Sequence, residues 1–315
     1  MKHTFNIIPL ILIAFLLVNC EKEITLDLPD PIPQIVVEGT IYSGQTPIVI
    51  LNTNFPYFGS FSIENYQQNF VRGAEVTVSD GSKTVELQEF CWSDLTTEEQ
   101  QLLLAFGGGD NGIIPDSIPD NFDFCLYTSF PPQIVGEIGK TYSLEITTED
   151  GENLSALTTI PQPVPFDSIW AEQHLNEDFA DYWRVYGQFK DPDELGNYYR
   201  LFTQINDEPF YPAPRSVFDD LLVNGKDFFF PLDKGEPQST DLDVDTYGYF
   251  QVEDTIQIRW TAIDQASYDF WRTLEFSRNA NGPFGGSTQV MDNIEGGFGI
   301  WCGYGVSEIG LVIEE

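Results

Sequence analysis

Basic residues are scarce in this sequence. Lysine and arginine together number 14 in 315 residues, against 50 aspartates and glutamates, for a formal net charge of -36. A surface so acidic repels phosphate backbones and anionic headgroups, which argues against nucleic acid as a partner. Histidine is scarcer still, with only His3 and His174, and His3 falls in the N-terminal leader. A histidine-bearing zinc cluster is therefore excluded by count. A Ser-His-Asp or Cys-His arrangement would have to be built on His174, and no G-x-S-x-G elbow accompanies it. His174 reads as a strand-surface residue and the chain as a non-enzyme. Long apolar runs are also missing, apart from Ile7 to Val18, which is too short to span a bilayer comfortably.

That one run has the shape of a signal peptide. Lys2 supplies a short basic region, the apolar stretch follows, and Leu17-Val18-Asn19-Cys20 comes directly after it. The tetrapeptide resembles the bacterial lipobox, although Asn19 stands where Gly, Ala or Ser is usual. Residues 1–19 are expected to be a lipoprotein signal peptide and residues 20–33 a lipidated, Pro-broken tether. Cys20 would carry a covalent diacylglyceryl group and acyl chains such as palmitate, holding the protein to a membrane at about 0.8 kcal/mol per buried methylene. The rest of the chain would then lie outside the cytoplasm.

The body reads as mainly β. With 42% hydrophobic and 14% aromatic residues it can bury a substantial core, and its length favours two domains. Ile35-Val36-Val37 and Ile48-Val49-Ile50-Leu51 are β-branched runs. Ala74, Val76 and Val78 alternate with polar residues, turn at Asp80-Gly81, and continue in Val85 and Leu87. Tyr142, Leu144 and Ile146 form a similar hairpin with Leu154, Ala156 and Thr158. These predict an N-terminal β-sandwich-like domain over 34–160. Residues 91–125 form a small helical insertion in it, opened by a capping box at Thr96 and Glu99. Cys91 and Cys125 flank the insertion, and export permits a disulfide between them, which leaves Cys302 over. The Pro-rich stretch 161–166 is the expected linker. Beyond it, 167–315 reads as a second β-sandwich-like domain with strands near 168–171, 182–189, 198–205 and 255–263. One packed helix follows, capped by Asp264 and carrying Tyr268, Phe270, Trp271 and Leu274.

Few residues suggest chemistry. Asp241, Asp243 and Asp245 alternate as oxygen ligands for calcium do, but Thr246 and Val252 replace the turn glycine and closing glutamate of an EF-hand loop. They are weak calcium candidates beside the reading of an acidic exposed loop, as is the turn from Asp191 to Asn197. No other cofactor is expected. Aromatic residues crowd Phe55 to Tyr66 and Phe228-Phe229-Phe230, where they could stack on sugars or dock a partner, or simply pack.

A family resemblance joins several of these pieces. Cys20-Glu21-Lys22-Glu23, Ile35-Val36-Val37-Glu38-Gly39, Val71-Arg72-Gly73-Ala74-Glu75-Val76 and Gly139-Lys140-Thr141-Tyr142-Ser143-Leu144 occur in that order. Asp191-Pro192, Asn197-Tyr198-Tyr199-Arg200 and Asn293-Ile294-Glu295-Gly296-Gly297-Phe298-Gly299-Ile300 follow. Together they resemble a Bacteroidota lipoprotein family of unknown function, domain-of-unknown-function family 4249, commonly encoded beside TonB-dependent outer-membrane transporters. The resemblance implies an outer-membrane, lipid-anchored protein on the periplasmic face or the cell surface, acting as a binding or accessory subunit of such a transporter. It carries over no catalytic residues. The alternatives are a free-standing surface adhesion or glycan-binding module, and a hydrolase working through paired carboxylates, for which acidic abundance alone supplies no pairing.

Overall fold

Alternating burial along short β-branched and aromatic segments builds a mainly β protein with two sheets. The structure is a computed structural model. It describes residues 33–54, 69–106, 124–237, 245–279 and 289–314. The leader and residues 20–32 of the tether, including Cys20, lie outside the described residues, as do the aromatic segment from Phe55 to Tyr66 and Asp241 and Asp243.

In the first half, β1 (Ile35–Tyr42) pairs antiparallel with β2 (Ile48–Thr53). The next hairpin, β3 (Glu75–Ser79) and β4 (Thr84–Cys91), turns at Asp80-Gly81. Asp80 holds that turn by accepting bonds from the Ser82 and Lys83 amides at 2.9 and 2.8 Å. β4 belongs to two leaves. Residues 84–87 pair with β3, whereas residues 88–91 pair with β5 (Cys125–Thr128), which continues into β2. β6 (Thr141–Thr147) and β7 (Asn153–Thr159) extend the β3 side. The leaves pack on one another through an aliphatic core that includes Val37, Leu51, Val76, Leu87, Leu144 and Leu154.

The helix expected in the insertion is present, while residues 107–123 of the insertion lie outside the described residues. Thr96 and Glu99 exchange bonds as a capping box, with the Thr96 amide donating to Glu99 at 2.8 Å and the Glu99 amide to Thr96 at 3.3 Å, and α1 (Thr97–Phe106) follows. Cys91 and Cys125 face each other across the β4–β5 ladder and are disulfide-bonded. Cys302 is free and buried.

The second half contributes β8 (Ser168–Gln173), β9 (Tyr182–Lys190), β10 (Tyr198–Ile205), β11 (Tyr211–Asp219), β12 (Asp227–Leu232), β13 (Phe250–Gln251) and β14 (Thr255–Ile263). α2 (Gln265–Asn279) follows, then β15 (Ile294–Glu295) and β16 (Phe298–Val312). Strands β8, β9, β12 and β13 make the smaller sheet. It packs on β10, β14 and the end of β16 through an aromatic core that includes Phe166, Phe189, Tyr199 and Trp260. Asp264 caps α2 as expected, accepting from the Ser267 amide at 2.9 Å. Its other oxygen accepts from Thr158 and from the Thr159 amide at 2.8 and 3.0 Å, tying the helix start to β7.

β16 joins the two halves. Its residues 298–304 run parallel to β1, and residues 305–312 run antiparallel to β14, so one twelve-stranded sheet passes across the expected domain boundary. Residues 33–315 accordingly form one compact unit. The Pro-rich stretch carries no strand and lies over β16 so closely that a Cβ on Gly305 would come within 2.1 Å of the Pro161 carbonyl oxygen. Only glycine fits there.

Candidate functional site

Period-two alternation gives β1 two different faces. Ile35, Val37 and Ile41 enter the aliphatic core, where Trp301 of β16 joins them, its Cε3 only 2.7 Å from where a Cβ on Gly39 would stand. Glu38, Thr40 and Tyr42 point to the other face, in register with Ile300, Cys302 and Tyr304 of β16. Tyr42 and Tyr304 stack with ring centroids 4.4 Å apart. On the neighbouring strands the same face carries Arg200 and Phe202 of β10 and Arg259 of β14. α2 roofs it with Phe270, Trp271, Leu274 and Arg278, positions on one side of a 3.6-residue helix. Between roof and floor lies a cavity of about 390 Å³.

Arg200 is held in place from several sides. Its side chain is buried, Nε donates to Ser216 at 3.1 Å and Nη1 donates to the Tyr304 hydroxyl at 2.9 Å. Ser216 in turn donates to Glu275 at 2.5 Å. The Trp271 ring lies 3.4 Å from the Arg200 guanidinium carbon and the Phe202 ring 4.7 Å from it. Arg259 sits behind the wall, 3.7 Å from the Phe210 ring and ion-paired with Glu308 at 2.6 Å. Three of the chain's 14 basic residues thus gather around one cavity in a protein of net charge -36, so the local field departs from that of the whole surface.

The ionisable groups feel their confinement. Burial raises the Glu38 pKa above its ordinary value of 4.5, and the nearby Arg278 and Arg200 pull it back only in part. Accessibility and depth differ at this carboxylate, since solvent reaches it while protein surrounds it. Accessibility is the better guide to what a ligand meets. Burial likewise raises Glu275, against the Ser216 hydrogen bond and Arg200. Arg278 is lowered, by burial and then by the like charge of Arg200. Cys302 beneath the floor is pushed up to about 12 by burial and then by Asp264, so it stays a protonated thiol.

Other candidates have different surroundings. The disulfide pair lies beside Glu89, but disulfide sulfurs are not thiolates, and Glu89 already accepts from Arg72, the Gly73 amide and Tyr127 at 2.8, 2.6 and 3.0 Å. Asp245 is exposed at the start of a turn. Asp191 is buried and committed to the Tyr199 hydroxyl at 2.6 Å and the Gly225 amide at 3.2 Å, so its oxygens brace a loop. His174 follows β8, its Nδ1 accepting from the Asn176 amide at 3.0 Å and its ring packed on Phe179 and Tyr249. Phe228 and Phe229 are exposed, while Phe230 packs on the aromatic core beside a second cavity of about 280 Å³.

Sequence reasoning missed Glu38, Arg200 and Arg278 as site residues. Two of them left a signal, because Glu38 and Arg200 are each the single charged residue of their strand. A family model described as "Domain of unknown function (DUF4249)" matches residues 21–309. No curated protein matches the chain.

Proposed function

The chain belongs to the DUF4249 family, and on that premise we propose that it is an outer-membrane lipoprotein that acts as a binding or accessory subunit of a TonB-dependent transporter. The lipobox-like Leu17-Val18-Asn19-Cys20 supports the anchor. The transporter rests on the genomic company of the family that the sequence resembles. No helix among the described residues is long and apolar enough to cross a membrane, and in this reading lipid on Cys20 provides the attachment.

The observation that carries the binding role is the cavity beneath α2. Its volume of about 390 Å³ falls in the range of about 300–1,000 Å³ typical of ligand sites. Its walls are aromatic and aliphatic, with a few charged groups, of which Arg200 is held in place by hydrogen bonds and ring contacts. Burial raises the pKa of the Cys302 thiol and of the Tyr42 and Tyr304 hydroxyls, so in this reading they serve as protonated hydrogen-bonding and packing groups.

Pull-down from solubilised outer membranes with the full-length protein as bait is expected to recover a transporter barrel, and repeated recovery of none would remove the accessory role. Cys20→Ala is expected to move the protein from the membrane to the soluble fraction. A second reading, a free-standing glycan-binding or adhesion module, draws on Phe228 and Phe229, which stand exposed on β12. Glycan-array binding that is lost on Phe229→Ala, with no barrel in the pull-down, would favour it.

A further inference from the structure

The charges around the cavity beneath α2 form a pattern that the protein itself leaves incomplete. Glu38 is open to solvent inside the cavity and makes no hydrogen bond or ion pair among the described residues. Arg200 and Arg278 are close enough to influence it electrostatically, yet neither guanidinium lies within 4.0 Å of its carboxylate. Arg200 has Nε and Nη1 committed to Ser216 and Tyr304, which leaves Nη2 without a partner among the described residues. A negative and a positive group therefore share one cavity without joining.

The wider set of charges is balanced. Arg200, Arg259 and Arg278 stand against Glu38, Glu275 and Glu308, and Glu236 on the cavity wall is ion-paired with Lys234 at 2.9 Å, so a polyanion would meet Glu38 unpaired and a bare cation would meet a guanidinium. Either would leave a confined charge uncompensated, which is costly. A ligand carrying both charges satisfies both ends. At about 390 Å³ the space sits near the small end of ligand cavities, and Trp271, Phe202 and Phe210 offer apolar walls.

We propose that this cavity takes a small zwitterion of the amino-acid or short-peptide class, with its ammonium group against Glu38, its carboxylate against Arg200 and its side chain among the aromatic rings. The inference rests on the reading of the cavity as a ligand site and names what that site selects. Because burial raises the Glu38 pKa, an arriving ammonium group favours the ionised carboxylate and expels any proton it holds. Affinity should then rise with pH through the titration of Glu38, with Arg200, Arg278, Glu236, Tyr42, Tyr211 and Tyr304 as the other ionisable groups on the walls.

Calorimetric titration of the detergent-solubilised full-length protein provides the test, with four probes: L-phenylalanine, the dipeptide alanyl-phenylalanine, 3-phenylpropionate and phenethylamine. At least one zwitterion is expected to bind at least about tenfold more tightly than the two single-charge analogues, the size expected for one charged hydrogen-bonded contact. Preference for phenylalanine would identify free amino acids as the source, and preference for the dipeptide would identify peptides. Glu38→Gln should cost the zwitterion about tenfold while leaving 3-phenylpropionate unchanged or tighter, and Glu38→Asp should fall between. Equal binding of all four probes, or an indifferent Glu38→Gln with an unaltered melting temperature, would overturn the assignment. If none of the four binds while a barrel still copurifies, the ligand assignment fails and the accessory role stands. Zwitterion binding without a copurifying barrel would support the ligand and sink the transporter.

Discussion

Adjacent residues on β1 and β16 serve opposite ends. On one face Val37, Ile41 and Trp301 close into an aliphatic core, and on the other Glu38, Tyr42 and Tyr304 border a cavity. The same ladder positions both, because the parallel pairing aligns Gly39 with Trp301 and Glu38 with Ile300. A slip of one residue would exchange the faces, carrying Glu38 into the core and Val37 into the cavity. The register that stabilises the protein is therefore also what places its binding groups. Core and site cannot drift apart independently.

Substitutions on the two faces should separate these roles, and the closed face should respond most. Trp301→Ala removes a fully buried indole and the bond from its Nε1 to the Tyr142 carbonyl at 3.0 Å. Urea unfolding should show a loss of about 3–5 kcal/mol, and a loss under about 1 kcal/mol would break the distinction between the faces. Tyr304→Phe, on the cavity face of the same strand, should cost less, about 1–2 kcal/mol, because Arg200 Nη1 loses its acceptor. The smallest effect should come from Glu38→Gln, which loses no protein partner and at neutral pH removes a confined charge, so stability should be unchanged or slightly higher.

Glu38→Gln should nonetheless change how stability depends on pH. The folded state raises the pKa of Glu38, so it holds the proton more tightly than the unfolded chain does. Its contribution to stability is fully present below the ordinary value of 4.5 and is lost as pH rises through the folded value. The variant should therefore lose less melting temperature than the parent between about pH 4.5 and 7. Glu275, raised by burial as well, leaves a residual slope. Identical slopes in parent and variant would show that Glu38 is not confined as the cavity requires.

Local patterns in the sequence made much of this architecture legible. The hairpin at Asp80-Gly81, the capping box at Thr96 and Glu99, the cap at Asp264 and the Cys91–Cys125 disulfide all depend on residues close in sequence or on one ladder. β11 was hidden because Pro212 and Pro214 disguise an edge strand. The length of β16 was hidden too, since its glycines read as a tail when the Pro161 backbone that requires Gly305 is out of view. The cavity was the least visible feature. Its floor joins β1 to a strand that begins at Phe298, and no local periodicity reports a pairing over such a distance. Glu38 and Arg200 appeared only as members of motif strings, and their roles emerge when the fold sets them on one surface.

The interior position of β16 has a consequence for how the polypeptide becomes a protein. β16 is a 15-residue segment that lies between β1 and β14 in the sheet and follows both of them in the chain. Until it arrives, both neighbours present raw edges, Trp301 is missing from one core, and Ile309 and Leu311 are missing from the packing around the other. Such late, distant pairing makes for slow assembly and an aggregation-prone interval. A nascent chain of this kind must be shielded until β16 is in place, and a truncation before Phe298 removes the central seam.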